Sequence, residues 1–234
     1  MKEKIGIITA MQEELDAIKL KMTNIIEEKI YELIFYKGKI EKKDCILVKC
    51  GVGKVNAART TQILINKYDI SKIINVGSAG GVNNKLKIGD IVIGKELVQY
   101  DFDITAFGHE KGYITDVGKF IYSDEKLIQA CSKIVDEISK NKNFNAIIGK
   151  IATGDTFCTN IVQKEKIFNE FVADCIEMEG AAIAQVCKLD NVGFLVIRGI
   201  SDVPNGKNEI EFDKYLKIAS ERCGIIIQKM CQLI

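Results

Sequence analysis

The feature that most restricts the fold is a set of short, unbroken apolar runs rich in β-branched residues. Residues 4–9 (KIGIIT), 72–76 (KIINV) and 193–199 (GFLVIRG) show no alternation of apolar and polar positions. A strand of this kind is buried on both faces, the condition of a strand inside a parallel sheet covered by helices. Helical patterns lie between these runs. Strands alternating with helices imply right-handed crossovers and a doubly wound, mainly parallel α/β sheet. An apolar content of 47% supplies core for one domain over residues 1–234. No linker, repeat or low-complexity stretch interrupts it.

The remaining segments fill in this frame. Thr9 stands where it can cap a helix that begins with Gln12, Glu13 and Glu14. Acidic side chains are favourable there, against the partial positive charge of a helix N-terminus. Residues 30–35, 37–40 and 44–49 read as antiparallel strands with a Lys-Gly turn, and Gly51-Val52-Gly53 opens a helix over 56–65. The strand at 72–76 is expected to end in a glycine-rich turn, Gly77-Ser78-Ala79-Gly80-Gly81. Further strands are predicted at 91–93, 146–152 and 173–177, and helices at 123–139, 180–189 and 211–234. Ser123 gives the helix at 123–139 an imperfect capping box, with Lys126 at the third position.

Charge and cysteine content remove several classes of function. There are 33 basic and 32 acidic residues, a net charge of +1, which gives no nucleic-acid footprint. Arg59, Arg198 and Arg222 are the arginines and lie far apart in sequence. Arg is the preferred side chain for gripping phosphate with two bonds. The eight cysteines form no C-x-x-C pair, and His109 is the one histidine, so no metal site is expected. Most cysteines fall within apolar runs, where Cys packs as a small core residue, and free thiols indicate a reducing, cytoplasmic setting. The five apolar residues after Lys4, broken by Gly6, are too few for a signal sequence, and no run suffices for a membrane span.

The residues able to do chemistry gather where strands end. Met11 to Glu14, the glycine-rich segment 77–81, Gly154-Asp155, Glu177-Met178-Glu179 and Ser201-Asp202 each follow a predicted strand. In open parallel sheets, ligands bind in the crevice outside the carboxyl ends of the strands. The segment 77–81 lacks the G-x-G-x-x-G spacing and has no P-loop lysine, which weighs against dinucleotide or ATP binding. What remains is a set of carboxylates: Glu14, Glu177, Glu179 and Asp202. Glycosidic cleavage uses such a set. One acid assists the leaving group, another deprotonates water, and negative charge stabilises an oxocarbenium-like sugar. A pair of solvated acids at a strand rim is an equally good local reading of Glu177 and Glu179.

Seven segments in register carry a resemblance. They are residues 5–14 (IGIITAMQEE), 51–55 (GVGKV), 75–81 (NVGSAGG), 103–108 (DITAFG), 154–157 (GDTF), 177–179 (EME) and 200–202 (ISD). Over essentially the whole chain the sequence resembles the bacterial 5'-methylthioadenosine/S-adenosylhomocysteine nucleosidases. The resemblance implies a nucleoside phosphorylase-type fold, with a central mixed, mostly parallel sheet flanked by helices. It also implies hydrolysis of the N-glycosidic bond in methionine salvage and methyl-cycle recycling, with no cofactor. By this resemblance Glu14 activates water, and Asp202, positioned by Ser201, protonates adenine N7. Glu179 binds the ribose hydroxyls, with Glu177 beside it and Met178 packed on the sugar. Phe157 stacks on adenine, and the backbone of Phe157 and Cys158 reads the purine edge. Ser78, Ala79 and Gly80 lie near the anomeric centre; Met11, Val52 and Phe212 form the wall for the 5'-thio group. Ile104 and Phe107 come from the partner in a homodimer with shared sites, with His109 near that contact.

The sequence departs from the family at Gln12, Cys158, Pro204 and Gly206, which touches substrate range more than reaction type. Phosphorylases of the fold typically carry Arg just before the Gly-Ser segment and in the first loop. Here those places hold Asn75 and Thr9-Ala10-Met11-Gln12, and none of the three arginines aligns with a phosphate-binding role. Glu14 would also repel a phosphate nucleophile. The rival readings are a phosphorylase, a non-catalytic nucleoside-binding protein, and a hydrolase of futalosine-type or deoxyadenosine nucleosides.

Overall fold

The unbroken apolar runs become neighbouring parallel strands. β1 (Ile5–Thr9) lies between β4 (Lys43–Lys49) and β5 (Lys72–Gly81), and β10 (Gly193–Asp202) pairs along the other edge of β5. The computed structural model of the chain describes residues 4–140, 144–203 and 208–234, with side chains from 215 onward in the last stretch. Among these residues the strands form one ten-stranded mixed sheet. Successive side chains of a strand point to opposite faces. Accordingly Ile8 and Ile73 enter one core, with Leu64 of α2 (Lys54–Tyr68) and Ile183 of α5 (Gly180–Leu189). Ile7 and Ile74 enter the other. Its helical side comes from α1 (Gln12–Lys19), α3 (Glu125–Ser139) and α6 (Asn208–Leu233).

The sheet is less open than a doubly wound one. β6 (Ile91–Gln99) runs antiparallel to β10, β8 (Ala146–Thr153) parallel to β6, and β9 (Cys175–Glu177) parallel to β8. β9 then pairs antiparallel with the end of β5, at Gly80 and Gly81. The strands β5, β10, β6, β8 and β9 therefore close on themselves, and the last residues of β5, β9 and β10 line one basin. β7 (Ile121–Tyr122) adds to β6, while β2 (Met22–Ile30) and β3 (Leu33–Ile40) extend the far edge beyond β4. A third core under the ring takes Ile167 and Phe171 from α4 (Ile161–Phe171).

Several local expectations are corrected. The segment 77–81 is not a turn but the continuation of β5, held by β10 on one side and β9 on the other. The edge hairpins turn at Tyr31-Glu32 and Glu41-Lys42, and Gly38 sits inside β3. There a side chain would meet the Thr23 carbonyl at 2.7 Å, so the strand needs glycine for close approach. Met11, not Thr9, is the N-cap of α1, and Thr9 remains in β1. Asp124, not Ser123, caps α3, its carboxylate accepting the Leu127 N–H at 3.0 Å. All eight cysteines are free and buried, packed as core residues. Pro204 and Gly206 lie outside the described residues.

Candidate active site

Glu14 is placed by the first turn of α1. At the third helical position its carboxylate reaches back to the N-cap, where Oε2 accepts the Met11 and Ala10 N–H groups, both at 3.0 Å. Its Oε1 accepts the Ser78 N–H at 3.0 Å and the Ser78 hydroxyl at 3.3 Å, from β5. The side chain is buried, 3% exposed, with its negative charge fully hydrogen-bonded. The Ser78 hydroxyl is the one rotatable donor of the four, so its place on Oε1 can be taken by another donor such as water. Gly77 makes this approach possible. A Cβ there would stand 3.0 Å from Glu14 Oε1 and 3.1 Å from Arg198 Nη1.

Glu177 and Glu179 are buried rather than solvated. Glu177 ends β9, and its carboxylate is consumed locally. Oε2 accepts the Glu179 and Gly180 N–H groups at 3.0 and 2.7 Å, capping α5, and pairs with Arg198 Nη2; Oε1 accepts the Thr153 hydroxyl. Glu179 is the N-cap residue of α5 and points elsewhere. Its Oε1 accepts the Gly53 N–H at 2.9 Å, at the start of α2, and its Oε2 lies 3.9 Å from Arg198 Nη2. Burial first, and then the neighbouring Glu177 charge, push the Glu179 carboxyl up to about 7, against the pull of Arg198 and the Gly53 N–H.

Arg198, which the sequence left without a phosphate-binding role, lines the pocket from β10, almost wholly buried. Burial opposes its charge, and the Glu177 and Glu179 carboxylates more than restore it. Its Nη2 also donates to Asn75 Oδ1 at 2.5 Å, and Asn75 Nδ2 donates to the Ile8 carbonyl at 3.0 Å. The guanidinium is thus committed to carboxylates and an amide, which leaves it poorly placed to grip a free phosphate.

Asp202 closes the basin from the end of β10. It is 2% exposed; Oδ1 accepts the Ser201 hydroxyl at 3.2 Å, and Oδ2 pairs with Lys164 Nζ at 2.5 Å. Gly80 opposite leaves room for it, since a Cβ there would stand 3.1 Å from Oδ2. Ser201 itself is buried, and its single hydroxyl proton is shared between Asp202 Oδ1 and the Ala79 carbonyl, 3.3 Å away.

Glu14, Ser78, Ala79, Gly80, Glu177, Glu179 and Asp202 all line one cavity of 530 Å³, large enough for a nucleoside. Met11, Val52, Phe157 and Met178 line it as well, joined by Ala10, Val76 and Ile176, so much of the wall is apolar. Cys158 is buried just behind Phe157 and does not line it. The side chain of Phe212 lies outside the described residues. Ile104 and Phe107 do not line this cavity either; Ile104 is half-buried and Phe107 is 82% exposed, around a single 3₁₀ turn. His109 stacks on Tyr113, centroids 4.6 Å apart. Among the described residues no group of three or more His, Cys, Asp or Glu is placed to hold a metal ion.

Sequence reading overlooked Arg198 and Lys164, and placed Asp155 at a strand end without a partner. The first two carried a signal: Arg198 interrupts an apolar run, and Lys164 occupies the inward stripe with Ile167 and Phe171. Asp155 reaches from the end of β8 to accept the Lys54 N–H at 2.8 Å, so it holds the helix start that presents Gly53 to Glu179.

Fold and pocket together define a class: an α/β protein whose strand ends bring carboxylates around a nucleoside-sized, half-apolar cavity. The family model described as the phosphorylase superfamily matches residues 4–232. A 5'-methylthioadenosine/S-adenosylhomocysteine nucleosidase of Staphylococcus haemolyticus is 38% identical over 231 residues, 98% of this chain and all of that one. The Colwellia psychrerythraea nucleosidase of the same description, solved in complex with adenine, has a TM-score of 0.94 at 35% identity, covering 99% of this chain and 96% of that one. Futalosine hydrolase of Helicobacter pylori has a TM-score of 0.92 at 32% identity, covering 99% and 98%. The chain belongs to the phosphorylase superfamily and, within it, to the 5'-methylthioadenosine/S-adenosylhomocysteine nucleosidases.

Proposed function

We propose that the chain hydrolyses the N-glycosidic bond of 5'-methylthioadenosine and S-adenosylhomocysteine, releasing adenine and the 5-thio-substituted ribose. The observation that carries this is the convergence of Glu14, Glu179 and Asp202, from three separate elements, on one cavity with an apolar wall. Glu14 takes the proton of the attacking water, which displaces the rotatable Ser78 hydroxyl from Oε1. Glu179, anchored through Oε1 by Gly53, turns Oε2 to the ribose hydroxyls. Asp202, aimed by Ser201, protonates N7, because the adenine anion is a poor leaving group until it carries a proton. The carboxylates around C1' stabilise the positive charge that grows on the sugar. Phe157 stacks on the purine, and its backbone meets the purine edge. Met178 packs under the ribose, while Met11 and Val52 receive the thioether, which asks for apolar contact rather than hydrogen bonds.

Water rather than phosphate is the nucleophile in this reading. The cation lining the pocket, Arg198, is already bound to Glu177 and Asn75, and Glu14 holds the first loop against an anion. Ile104 and Phe107 complete the pocket of a second copy, so the working form is a homodimer; the exposure of Phe107 outside the single-chain cavity supports this. The whole chain acts as one nucleosidase domain. Eight free, buried cysteines support a reducing cytoplasm, and the reaction fits methionine salvage. Among the described residues no helix is long and apolar enough to cross a membrane.

Asp202→Asn tests the acid. The amide keeps the shape but has no proton to give, so kcat is expected to fall by about 10²–10⁴. Calorimetry should show that binding of a 5'-thio nucleoside is retained. A variant near the wild-type rate would remove Asp202 from the reaction. The likeness to futalosine hydrolase favours a second reading of the 5' side alone. Relative kcat/KM for 5'-methylthioadenosine, S-adenosylhomocysteine and a futalosine-type nucleoside decides between them.

A further inference from the structure

Lys164 is the least expected residue near the basin. It occupies the inward stripe of α4 with Ile167 and Phe171, and it is 1% exposed. It stands near the helix N-terminus, where the helix dipole disfavours a cation. A buried ion pair is also a weak source of stability, because desolvation offsets the attraction. A hydrocarbon side chain would therefore hold α4 at least as well. What the lysine provides is an ammonium 2.5 Å from Asp202 Oδ2, out of reach of solvent.

The surroundings of the pair are simple among the described residues. On β10, the Ser201 hydroxyl donates to Asp202 Oδ1. From the segment before α4, Cys158 is the other titratable neighbour; burial pushes its thiol up, Lys164 pulls it down and Asp202 pushes it up again. Glu165 and Lys166, next to Lys164 on α4, are exposed and turn away. Nothing else charged comes between the ammonium and the carboxylate. Lys164 touches the cavity only through Asp202, which lines it.

We propose that Lys164 is the proton reservoir of Asp202, recharging the acid from within the protein rather than from solvent. This rests on the reading of Asp202 as the acid that protonates N7. With Nζ against Oδ2, the pair delivers the proton in sequence. An Nζ–H bond breaks as an O–H bond forms on Asp202, and that O–H bond breaks as N7–H forms. The C1'–N9 electron pair goes to the purine, water oxygen bonds to C1', and the water proton passes to Glu14. Lys164 is left neutral and Glu14 protonated; once the products leave, solvent in the cavity takes the proton from Glu14 and returns one to Lys164 through Asp202. Lys164 is a positioning and supplying residue, since it acts through Asp202.

The test is kcat against pH at saturating nucleoside for Lys164→Met and Lys164→Arg. Each is expressed as a ratio to wild type, so that pH effects common to all the enzymes cancel. With methionine, Asp202 must draw its proton from solvent. The ratio should lie within about three-fold of unity near pH 5 and fall about 100-fold by about pH 8.5, with KM little changed. With arginine the charge is kept, but a guanidinium does not give up its proton. That variant should stay about 100-fold low across the range. A Lys164→Met ratio that is constant with pH would overturn the proposal. So would full recovery by Lys164→Arg, which would reduce Lys164 to a charge that holds Asp202 in place. If the methionine variant does not fold, the arginine variant decides alone. Asp202→Asn is run beside them: if it stays active, the reading of Asp202 itself fails, and the two failures are told apart.

Discussion

At the scale of single residues, Glu179 gives a prediction with a definite sign. Burial and Glu177 raise its carboxyl in the folded protein to about 7, while an unfolded Glu titrates near 4.3. Between these values the folded state binds the proton and the unfolded state does not, so stability falls as pH rises through that window. The full contribution is present below about pH 4.3 and gone above about pH 7. Glu179→Gln keeps an oxygen for the Gly53 N–H but cannot ionise. It should stabilise the ligand-free protein above pH 7 by roughly 1–3 kcal/mol, with no gain near pH 4, and weaken nucleoside binding. Melting temperatures across that range check it; a gain independent of pH would contradict it. The acids Glu14, Glu179 and Asp202 were legible in the sequence because each follows a buried run and sits in an ordered set of motifs. Lys164 and Arg198 were not, because a single charge in an apolar stretch names no partner. Their partners lie 38 and 21 residues away in sequence.

At the scale of elements, the short connection from β9 to α5 does two jobs. Glu177 caps α5 and neutralises Arg198, and Glu179, two residues on, is thereby aimed into the cavity. Glu177→Ala leaves a buried guanidinium without its main anion and uncaps the helix. It should cost about 3–5 kcal/mol, by denaturant titration. A loss below 1 kcal/mol would mean that Glu179 can take over the pairing. Most elements could be read from periodicity, but their ends could not. The segment 77–81 looks like a turn because glycine is weak in strands, yet here small residues are what let Glu14, Arg198 and Asp202 approach the strand. Helix α4 was overlooked because its inward stripe is broken by Lys164.

At the scale of the whole molecule, closure of the ring by β9 against β5 could not be read from sequence, since β9 is three residues long. That closure brings Glu177 and Glu179 opposite Glu14 and Asp202. Large apolar side chains are left in solvent: Val52 and Phe157 of the cavity wall, and Val55 and Phe107 outside it. In the proposed dimer these are covered, and Phe107→Asp should split it. Sedimentation should then show monomers, with KM for the nucleoside raised at least about ten-fold through loss of the partner's contribution to the site. A dimeric, fully active variant would place the interface elsewhere. The central claim, that carboxylates here deliver water to C1' and a proton to the purine, is tested most directly by adenine release from 5'-methylthioadenosine, without phosphate and with it. The account predicts the same rate in both buffers and free 5-methylthioribose as the sugar product. Release that requires phosphate, with a sugar 1-phosphate as product, would contradict it.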